Sequence, residues 1–580
     1  MIPHRWIAMG AAFALLALDG FAPQAVDAAA RAPARSRSGM VVTSQVDATR
    51  AGVEMLAAGG NAIDAAVASA FAIGVNQPFS TGLGGGAFIL IRLVDGQVVA
   101  IDGRETAPGA ADRDMYVRPG VAEDASSYGA LSIGTPGMVA GLALALERYG
   151  TMSLAEVMAP SIHLAWDGFA ISPYHVGMME WKRPRLEERF PETMRIHYPP
   201  DGVALEPGWR LVQTDLADTL AQIAERGPRA FYEGKIAEAI AARVQEGGGL
   251  ITLEDLSTYT PKVREAVRGS YRGYDIYSFP PPSSGGVALV EALNILEGFD
   301  LASYGPGSSA SIHRIVEAMK FAFADRAAHL GDADFVEVPV TKLTSKDYAA
   351  KLRARINPSW WRRAPWRWGA GERALTLEGP GLSQNDSGTA HLSVTDAAGN
   401  AVSITGSINT LYGSGITVPG MGIVLNNEMD DFAKAPYEPN SYGLIDTLGH
   451  NAVAPYKRPL SSMTPTIVTK DGRTVFVTGS PGGPRIISTV LLTIINALDY
   501  GMDVQQAVSA PRVHHQWIPD KLRVEAAIPD DVVEALRARG HNVEVSDWDW
   551  SVAEVIAIDP ETGVHTGGSD PRSQGLALGP

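Results

Sequence analysis

Strand hairpins and helical segments alternate in blocks along the chain, and this order restricts the possible folds more than any other feature. Residues 88–93 and 98–101 flank an Asp-Gly pair, which predicts a β-hairpin. The pattern from about 140 to 330 is mainly helical, and after residue 388 it again becomes rich in strands. Such blocks predict a layered α/β or α+β architecture. At about 150 residues per unit, 580 residues suggest three or four domains.

Local patterns mark several element boundaries. Ser44-x-x-Asp47 has the form of a capping box and predicts a helix that ends at a Gly-Gly pair. Asn61-x-x-Asp64 predicts the start of a second helix, because apolar residues follow it at the i, i+3 and i+4 positions. Further elements are predicted as hairpins at 391–407 and 466–478 and as an apolar helix at 486–498.

A long connection without regular structure is predicted at about 357–388. No hydrophobic period holds across it, and it includes a Trp- and Arg-rich stretch at 360–368. That stretch could contact a membrane surface or nucleic acid, but an irregular loop with its aromatic side chains packed on the body is the favoured interpretation.

Charge and composition exclude several functions. The net charge of −16 repels phosphate backbones, so we expect no nucleic-acid partner. The chain has no cysteine, which excludes disulfides, thiolate metal sites and a cysteine nucleophile. No cofactor is indicated, since the glycines at 82–86 have dinucleotide-loop spacing but precede a predicted strand instead of a helix. No metal site is expected at His514-His515, because adjacent residues do not share a face.

The first 30 residues have the pattern of an export signal. A short positive start is followed by an apolar run at 6–18 and by small residues at 26–30. The run is too short to span a bilayer, so no stable membrane span is expected. The sequence therefore predicts a periplasmic or secreted bacterial protein, with cleavage of the signal near residues 28–30.

Motifs along most of the chain resemble one known family. The stretch that begins at Thr389 resembles the start of the small subunit of the γ-glutamyltranspeptidase family. Further matching segments lie, in chain order, at 59–66, 82–86, 104–108, 280–286, 409, 425–432, 458–463 and 479–483. The resemblance extends from about residue 40 to 580. It implies an α+β fold, a four-layer αββα sandwich of the N-terminal-nucleophile type, in which one interleaved fold replaces several domains.

The absence of cysteine favours a hydroxyl nucleophile. A hydroxyl needs an adjacent base, and a free α-amine can serve as that base. Thr389 lies within the chain and has no free amine, so the precursor must first cut itself between Gly388 and Thr389. The resemblance implies this cut, which would give a large subunit of 31–388 and a small subunit of 389–580, together forming a heterodimer.

The resemblance also implies a recognition site for the γ-glutamyl group. Arg104 would hold the α-carboxylate bidentately, and Ser461 and Ser462 would donate hydrogen bonds to it. The α-ammonium is assigned to three residues: Asn409, Glu428 and Asp431.

The remaining site residues belong to the chemical step and to the cover of the pocket. The backbone N–H groups of Gly482 and Gly483, before a predicted helix, would stabilise an oxyanion. Ser407 would orient the amine of Thr389. Tyr442 would cover the pocket as part of a lid at 436–455, and a lid of this kind excludes water.

The predicted function is that of a self-cleaving γ-glutamyltransferase and glutathione hydrolase. It would pass γ-glutamyl groups from glutathione and related compounds, through an ester on Thr389, to water or to amino-acid and peptide acceptors. One alternative is a glutaryl-cephalosporin acylase or a polyglutamate-processing enzyme, although a glutaryl group has no ammonium for Glu428 and Asp431. Another alternative is a non-catalytic periplasmic binding protein, which would need no cleavable bond before Thr389.

Overall fold

The computed structural model describes residues 31–200, 202–356 and 388–580. The predicted signal at 1–30 and the Trp- and Arg-rich stretch at 360–368 lie outside the described residues. From Pro33 to the end of the chain the structure forms one compact unit. The expectation of three or four domains from length alone is therefore wrong, because segments distant in sequence share the same two sheets.

Most strands belong to two seven-stranded antiparallel sheets. The strands are β1 (Ala34–Ser36), β2 (Gly39–Thr43), β3 (Gly86–Arg92), β4 (Val98–Gly103), β5 (Phe169–Ala170), β6 (Arg210–Leu211), β7 (Lys262–Arg264), β8 (Val267–Tyr271), β9 (Tyr274–Ser278), β10 (Gly388–Asp396), β11 (Ala401–Asn409), β12 (Thr417–Val418), β13 (Ile423–Val424), β14 (Thr466–Lys470), β15 (Arg473–Thr478), β16 (Val513–His514), β17 (Leu522–Glu525), β18 (Val543–Ser546), β19 (Glu554–Ile558), β20 (His565–Ser569) and β21 (Leu576–Leu578). The first sheet has the order β21-β2-β10-β11-β3-β4-β7, and the second has the order β1-β20-β19-β15-β14-β9-β8.

Helices cover the outer face of each sheet. The helices are α1 (Val46–Ala57), α2 (Ala62–Asn76), α3 (Met138–Tyr149), α4 (Leu154–Asp167), α5 (Pro173–Arg189), α6 (Pro191–His197), α7 (Thr214–Arg226), α8 (Arg229–Tyr232), α9 (Lys235–Glu246), α10 (Leu253–Thr258), α11 (Gly285–Leu296), α12 (Leu301–Tyr304), α13 (Ser309–His329), α14 (Val340–Leu343), α15 (Lys346–Arg353), α16 (Arg485–Leu498), α17 (Val504–Ser509) and α18 (Asp530–Ala538). Helices α1, α2 and α3 pack on the first sheet, whereas α11 and α17 contact the second sheet. Helix α16 packs against the two helices α11 and α17. No described helix has both the length and the apolar character needed to cross a bilayer.

The two sheets pack face to face through apolar side chains. The ring of Phe88 on β3 stacks on that of Phe279, which directly follows β9, with 4.0 Å between the ring centroids. Both side chains are fully buried. With helices outside both sheets, this arrangement is the four-layer αββα sandwich, and the predicted fold class is confirmed.

Each sheet combines strands from both sides of Gly388. In the first sheet, β10 and β11 lie between β2 and β3, and in the second sheet β14 pairs with β9. The parts before and after Gly388 therefore share two continuous hydrogen-bonded sheets, and neither part holds a complete seven-stranded sheet of its own.

One predicted helix cap is confirmed and one is wrong. The side chain of Asn61 accepts hydrogen bonds from the N–H groups at the start of α2, and Asp64 accepts the N–H of Asn61 at 2.7 Å. Ser44 does not cap α1, which begins one residue later than a Ser44 cap requires and has Gln45 at its N-cap. Instead, the Ser44 hydroxyl donates to the side chain of Gln77 at 2.9 Å, so a tertiary partner replaces the local one.

We expect Phe88→Ala to lower the free energy of unfolding by about 3–5 kcal/mol, because it leaves a cavity between the sheets. Chemical denaturation of the purified protein measures this loss. Phe335→Ala is the matched control, since the Phe335 side chain is 46% exposed and its removal should cost far less. Equal losses in the two variants would contradict a core between the sheets.

Candidate active site

Thr389 lies at the start of the central strand β10, beside Ser407 on β11. The two residues are register partners, and a bulge lies between Gly388 and Thr389. Their hydroxyl oxygens are 3.0 Å apart, and both residues are buried. The antiparallel pairing therefore fixes the position of the predicted nucleophile against a second hydroxyl.

The Ser407 hydroxyl also contacts the bond that precedes Thr389. It donates to the carbonyl oxygen of Gly388 at 3.0 Å and accepts the N–H of Asn409 at 2.8 Å. A serine hydroxyl has one hydrogen, so with that hydrogen on the Gly388 carbonyl the Thr389 hydroxyl is the donor in its own contact with Ser407. In this arrangement Ser407 polarises the carbonyl of the Gly388–Thr389 peptide.

Two glycines allow a close approach of backbones behind these residues. A Cβ atom on Gly85 would lie 2.1 Å from the carbonyl oxygen of Ser407, and one on Gly84 would lie 2.1 Å from that of Val424. Any side chain at either position would push β11 or β13 out of place. The Gly82–Gly86 stretch thus serves close packing and leads into β3. A strand, not a helix, follows these glycines, so they do not form a dinucleotide-binding loop.

A buried charge cluster lies in the same cavity. Arg104 directly follows β4, and its guanidinium forms ion pairs with Glu428 and Asp431, which lie in a short 3-10 helix. The Nε atom of Arg104 donates to the carbonyl oxygen of Pro459 at 3.2 Å. The carboxylate of Glu105 lies 3.9 Å from Nη1 of Arg104. One cation therefore faces three carboxyl groups in a region that solvent hardly reaches.

Burial and mutual repulsion change the acidity of this cluster. Burial raises the pKa of Glu428 to about 8, although Arg104 opposes the shift. Burial and the charge of Glu428 also raise the pKa of Glu105 well above its ordinary value. For Arg104, burial alone would lower the pKa, but the neighbouring carboxylates raise it above its usual value. Glu428 and Glu105 therefore bind protons more strongly than ordinary carboxyl groups do, whereas Arg104 keeps its charge.

The structure brings nearly all of the predicted site residues around one cavity. Its lining consists of Arg104, Thr389, Ser407, Asn409, Glu428, Asp431, Tyr442, Ser461, Ser462, Met463, Gly483 and Ile486. The sequence analysis missed Met463, Ile486 and the nearby carboxyl group of Glu105. Glu105 and Met463 could have been found, because they lie in the matching segments 104–108 and 458–463; Ile486 lies outside the matching segments.

The cavity of the uncut chain is small. Its volume is about 20 Å³, which is room for little more than one water molecule. Arg104 points at Glu428 and Asp431, so the groups predicted to bind opposite ends of a substrate satisfy one another. A zwitterionic ligand that separates them would replace each of these ion pairs with one of its own.

Gly482 and Gly483 lie between β15 and the first turn of α16. Their φ angles are +127° and +57°, which favour glycine. Within the described part of the chain, neither N–H group has a hydrogen-bond acceptor, and both precede a helix N-terminus. Gly483 lines the cavity, whereas Gly482 lies next to it.

The adjacent pair His514 and His515 does not form a metal site. His514 bonds to Ser488 and Gln516, whereas His515 bonds to Asp520, so the adjacent pair does not converge. The described residues offer one other group, His313, Glu317 and His541, whose ligand atoms lie within 4.8 Å of one another. The ammonium of Lys320 lies 3.0 Å from the Glu317 carboxylate and competes with a cation there.

A family model and several characterised proteins match this chain. The model described as gamma-glutamyltranspeptidase matches residues 48–579. Glutathione hydrolase proenzyme from Escherichia coli (strain K12) is 45% identical over 545 residues, which are 93% of this chain and 91% of that protein. Acylase ACY 1 proenzyme from Pseudomonas sp. (strain V22) is 41% identical over 556 residues, or 94% of each chain.

Solved structures match the fold as well. A cephalosporin acylase from Bacillus halodurans has a TM-score of 0.83 and 31% identity, and the match covers 95% of this chain and 97% of that one. A gamma-glutamyltranspeptidase chain from Helicobacter pylori has a TM-score of 0.53 and 42% identity, covering 54% of this chain and 90% of that chain.

We expect Glu428→Gln to become more stable relative to the wild type as the pH rises from 5 to 8. The folded protein keeps a proton on Glu428 that the unfolded chain releases, so rising pH destabilises the wild type over this range. Glutamine cannot ionise, and the relative gain should be roughly 1–3 kcal/mol. Urea denaturation at both pH values measures it, with the exposed Glu54→Gln as control. A pH-independent difference would show that Glu428 ionises normally.

Proposed function

The chain belongs to the γ-glutamyltranspeptidase family, and on this premise we propose that it transfers γ-glutamyl groups from glutathione and related amides to water, amino acids or peptides. One observation carries the proposal: the Thr389 hydroxyl, 3.0 Å from that of Ser407, lies in the same cavity as the Arg104–Glu428–Asp431 cluster. A nucleophile and a binding site for a zwitterion thus meet in one place.

Activation requires a cut between Gly388 and Thr389. In the proposed reaction the Thr389 hydroxyl attacks the Gly388 carbonyl carbon, the C–N bond breaks, and water then hydrolyses the resulting ester. The hydrogen bond from Ser407 to the Gly388 carbonyl supports this proposal, because it stabilises negative charge on that oxygen. The word proenzyme in the names of the relatives also supports it.

The products would be a large subunit of 31–388 and a small subunit of 389–580. Strands from both subunits are hydrogen-bonded to each other in both sheets, so the two would remain associated as a heterodimer. Residues 1–30 have the pattern of an export signal, and the proposed location is the periplasm or the medium.

Turnover would use the amine that the cut releases. The Thr389 hydroxyl attacks the γ-carbonyl carbon, its proton passes to the α-amine of Thr389, and the oxyanion accepts hydrogen bonds from Gly482 and Gly483. The amine then protonates the leaving group. Water or an acceptor amine breaks the γ-glutamyl ester by the reverse sequence.

Recognition would exchange internal ion pairs for pairs with the substrate. The α-carboxylate of the γ-glutamyl group fits the fork of Arg104, aided by Ser461 and Ser462. The α-ammonium fits the carboxylates of Glu428 and Asp431, with Asn409 beside them. The buried position of these charges supports the assignment, because an unpaired charge there is costly.

An acylase activity is the second candidate, and relatives named as acylases at 41% identity favour it. A glutaryl group has the same chain length as a γ-glutamyl group but has no ammonium, so it would leave the Glu428 and Asp431 carboxyls without a cationic ligand.

The proposed function therefore predicts a higher kcat/KM for a γ-glutamyl anilide than for the matched glutaryl anilide. The opposite order would favour the acylase.

We expect Thr389→Ala to remain one uncut chain and to have no γ-glutamyl anilide hydrolase activity, because it removes the nucleophile of both reactions. Denaturing electrophoresis and the anilide assay measure the two losses. The exposed Thr562→Ala is the matched control and should cut and react as the wild type does. Turnover retained by Thr389→Ala would place the nucleophile elsewhere.

We expect Arg104→Lys and Arg104→Ala to raise the donor KM, because each loses the bidentate contact with the α-carboxylate. Truncation of a buried charge contact costs about 2–5 kcal/mol, and the lysine variant should lose less. Arg50→Ala changes an exposed arginine and is the control. An unchanged donor KM in folded, cut Arg104 variants would show that the carboxylate binds elsewhere.

A further inference from the structure

Tyr442 closes one side of the cavity. Its hydroxyl donates to the carbonyl of Asn409 at 2.7 Å, and its ring packs on Gly483 so closely that a Cβ atom there would lie 2.7 Å from a ring carbon. The side chain is 4% exposed. Tyr442 therefore joins the lid segment (residues 436–455) to β11 and to the Gly482–Gly483 turn.

A second residue holds Tyr442 from its backbone. The side-chain Nε2 of Gln516 donates to the carbonyl oxygen of Tyr442 at 3.0 Å. Gln516 lies two residues beyond β16, is buried, and also approaches the position of a Cβ atom on Gly443 at 3.4 Å. The lid is thus bonded to a part of the chain that belongs neither to the nucleophile strands nor to the charge cluster.

Gln516 is itself fixed by a chain of hydrogen bonds. Its Oε1 lies 3.0 Å from Nε2 of His514, and Nδ1 of His514 lies 2.8 Å from the hydroxyl of Ser488 on α16. Because Oε1 can only accept, His514 carries its hydrogen on Nε2, and its Nδ1 is an acceptor for the Ser488 hydroxyl, which also lies 3.0 Å from the carbonyl oxygen of Arg485. The hydrogen bonds from His514 to Gln516 and from Gln516 to Tyr442 then have one defined direction.

We propose that Gln516 is a positioning residue that holds the lid closed over the donor site through the carbonyl of Tyr442. This inference rests on the proposed function, in which Tyr442 covers the bound γ-glutamyl group and keeps water from the ester on Thr389. Loss of the Gln516 side-chain amide would remove its hydrogen bonds to the buried Tyr442 carbonyl and to Nε2 of His514, and it would free the lid to open. Gln516 itself touches neither the substrate nor Thr389.

Gln516→Met tests the proposal, because methionine keeps the length of the side chain and removes both hydrogen bonds. We expect the donor KM to rise by about tenfold, a typical effect of leaving buried hydrogen-bonding groups unpaired, with kcat for hydrolysis nearly unchanged. The ratio of transfer to hydrolysis with a dipeptide acceptor should fall, since an open lid admits water. Ser488→Ala should shift both quantities in the same direction by less, and Ser488→Thr should behave as the wild type. Gln97→Met, at an exposed position, is the matched control.

A second measurement does not depend on activity. Lys434 lies two residues before the lid segment, and trypsin should cut after it faster in Gln516→Met than in the control, at equal melting temperatures. Unchanged trypsin cutting and an unchanged donor KM in Gln516→Met would overturn the proposal. If the wild type had no γ-glutamyl activity, the proposed function would fail while the trypsin comparison still tested the contact.

Discussion

The pairing of β10 with β11 is the constraint on which the rest of the site depends. It places the Thr389 hydroxyl against that of Ser407 and, through the same Ser407 oxygen, against the carbonyl of Gly388. Side chains on a strand alternate between its two faces, so a shift of one residue would turn Thr389 away from the cavity. The neighbouring strands β2 and β3 prevent that shift, because each is bonded to one member of the pair.

In the charge cluster, Arg104 and its carboxylate partners bind one another, so they compete with a ligand for the same charges. Arg104 and its two carboxylate partners are 324 and 327 residues apart in sequence, and each is buried only because the others are present. A ligand must offer both charges at once to displace these contacts without leaving an ion unpaired. The proposed selectivity for a zwitterion would thus arise from the cost of the incomplete exchange as much as from the new bonds.

Much of this was predictable from sequence, for identifiable reasons. Hairpins at turn residues and the Asn61 cap depend on local geometry, and the order of the motifs implied both the αββα layers and the residues of the cavity. The hairpin is predicted to start at residue 391, but β10 starts at Gly388; all residues of β10 are buried, so no alternation marks its ends. The contact of Ser44 with Gln77, the direct pairing of Arg104 with Glu428 and the contact of Gln516 with the lid depend on partners brought together only by the complete fold.

The mixing of strands from both sides of Gly388 in each sheet has a consequence for how the chain matures. The flanking strands β2 and β3 come from the first hundred residues, whereas β10 and β11 follow residue 387, so the site of the proposed cut cannot form until both of these distant parts of the chain have been made. In the proposed mechanism, a chain that folds with the wrong register would have Ser407 away from the Gly388 carbonyl, would stay in one piece and would not acquire its catalytic amine. Activation would thus depend on correct folding, and only molecules with the correct strand register would become active.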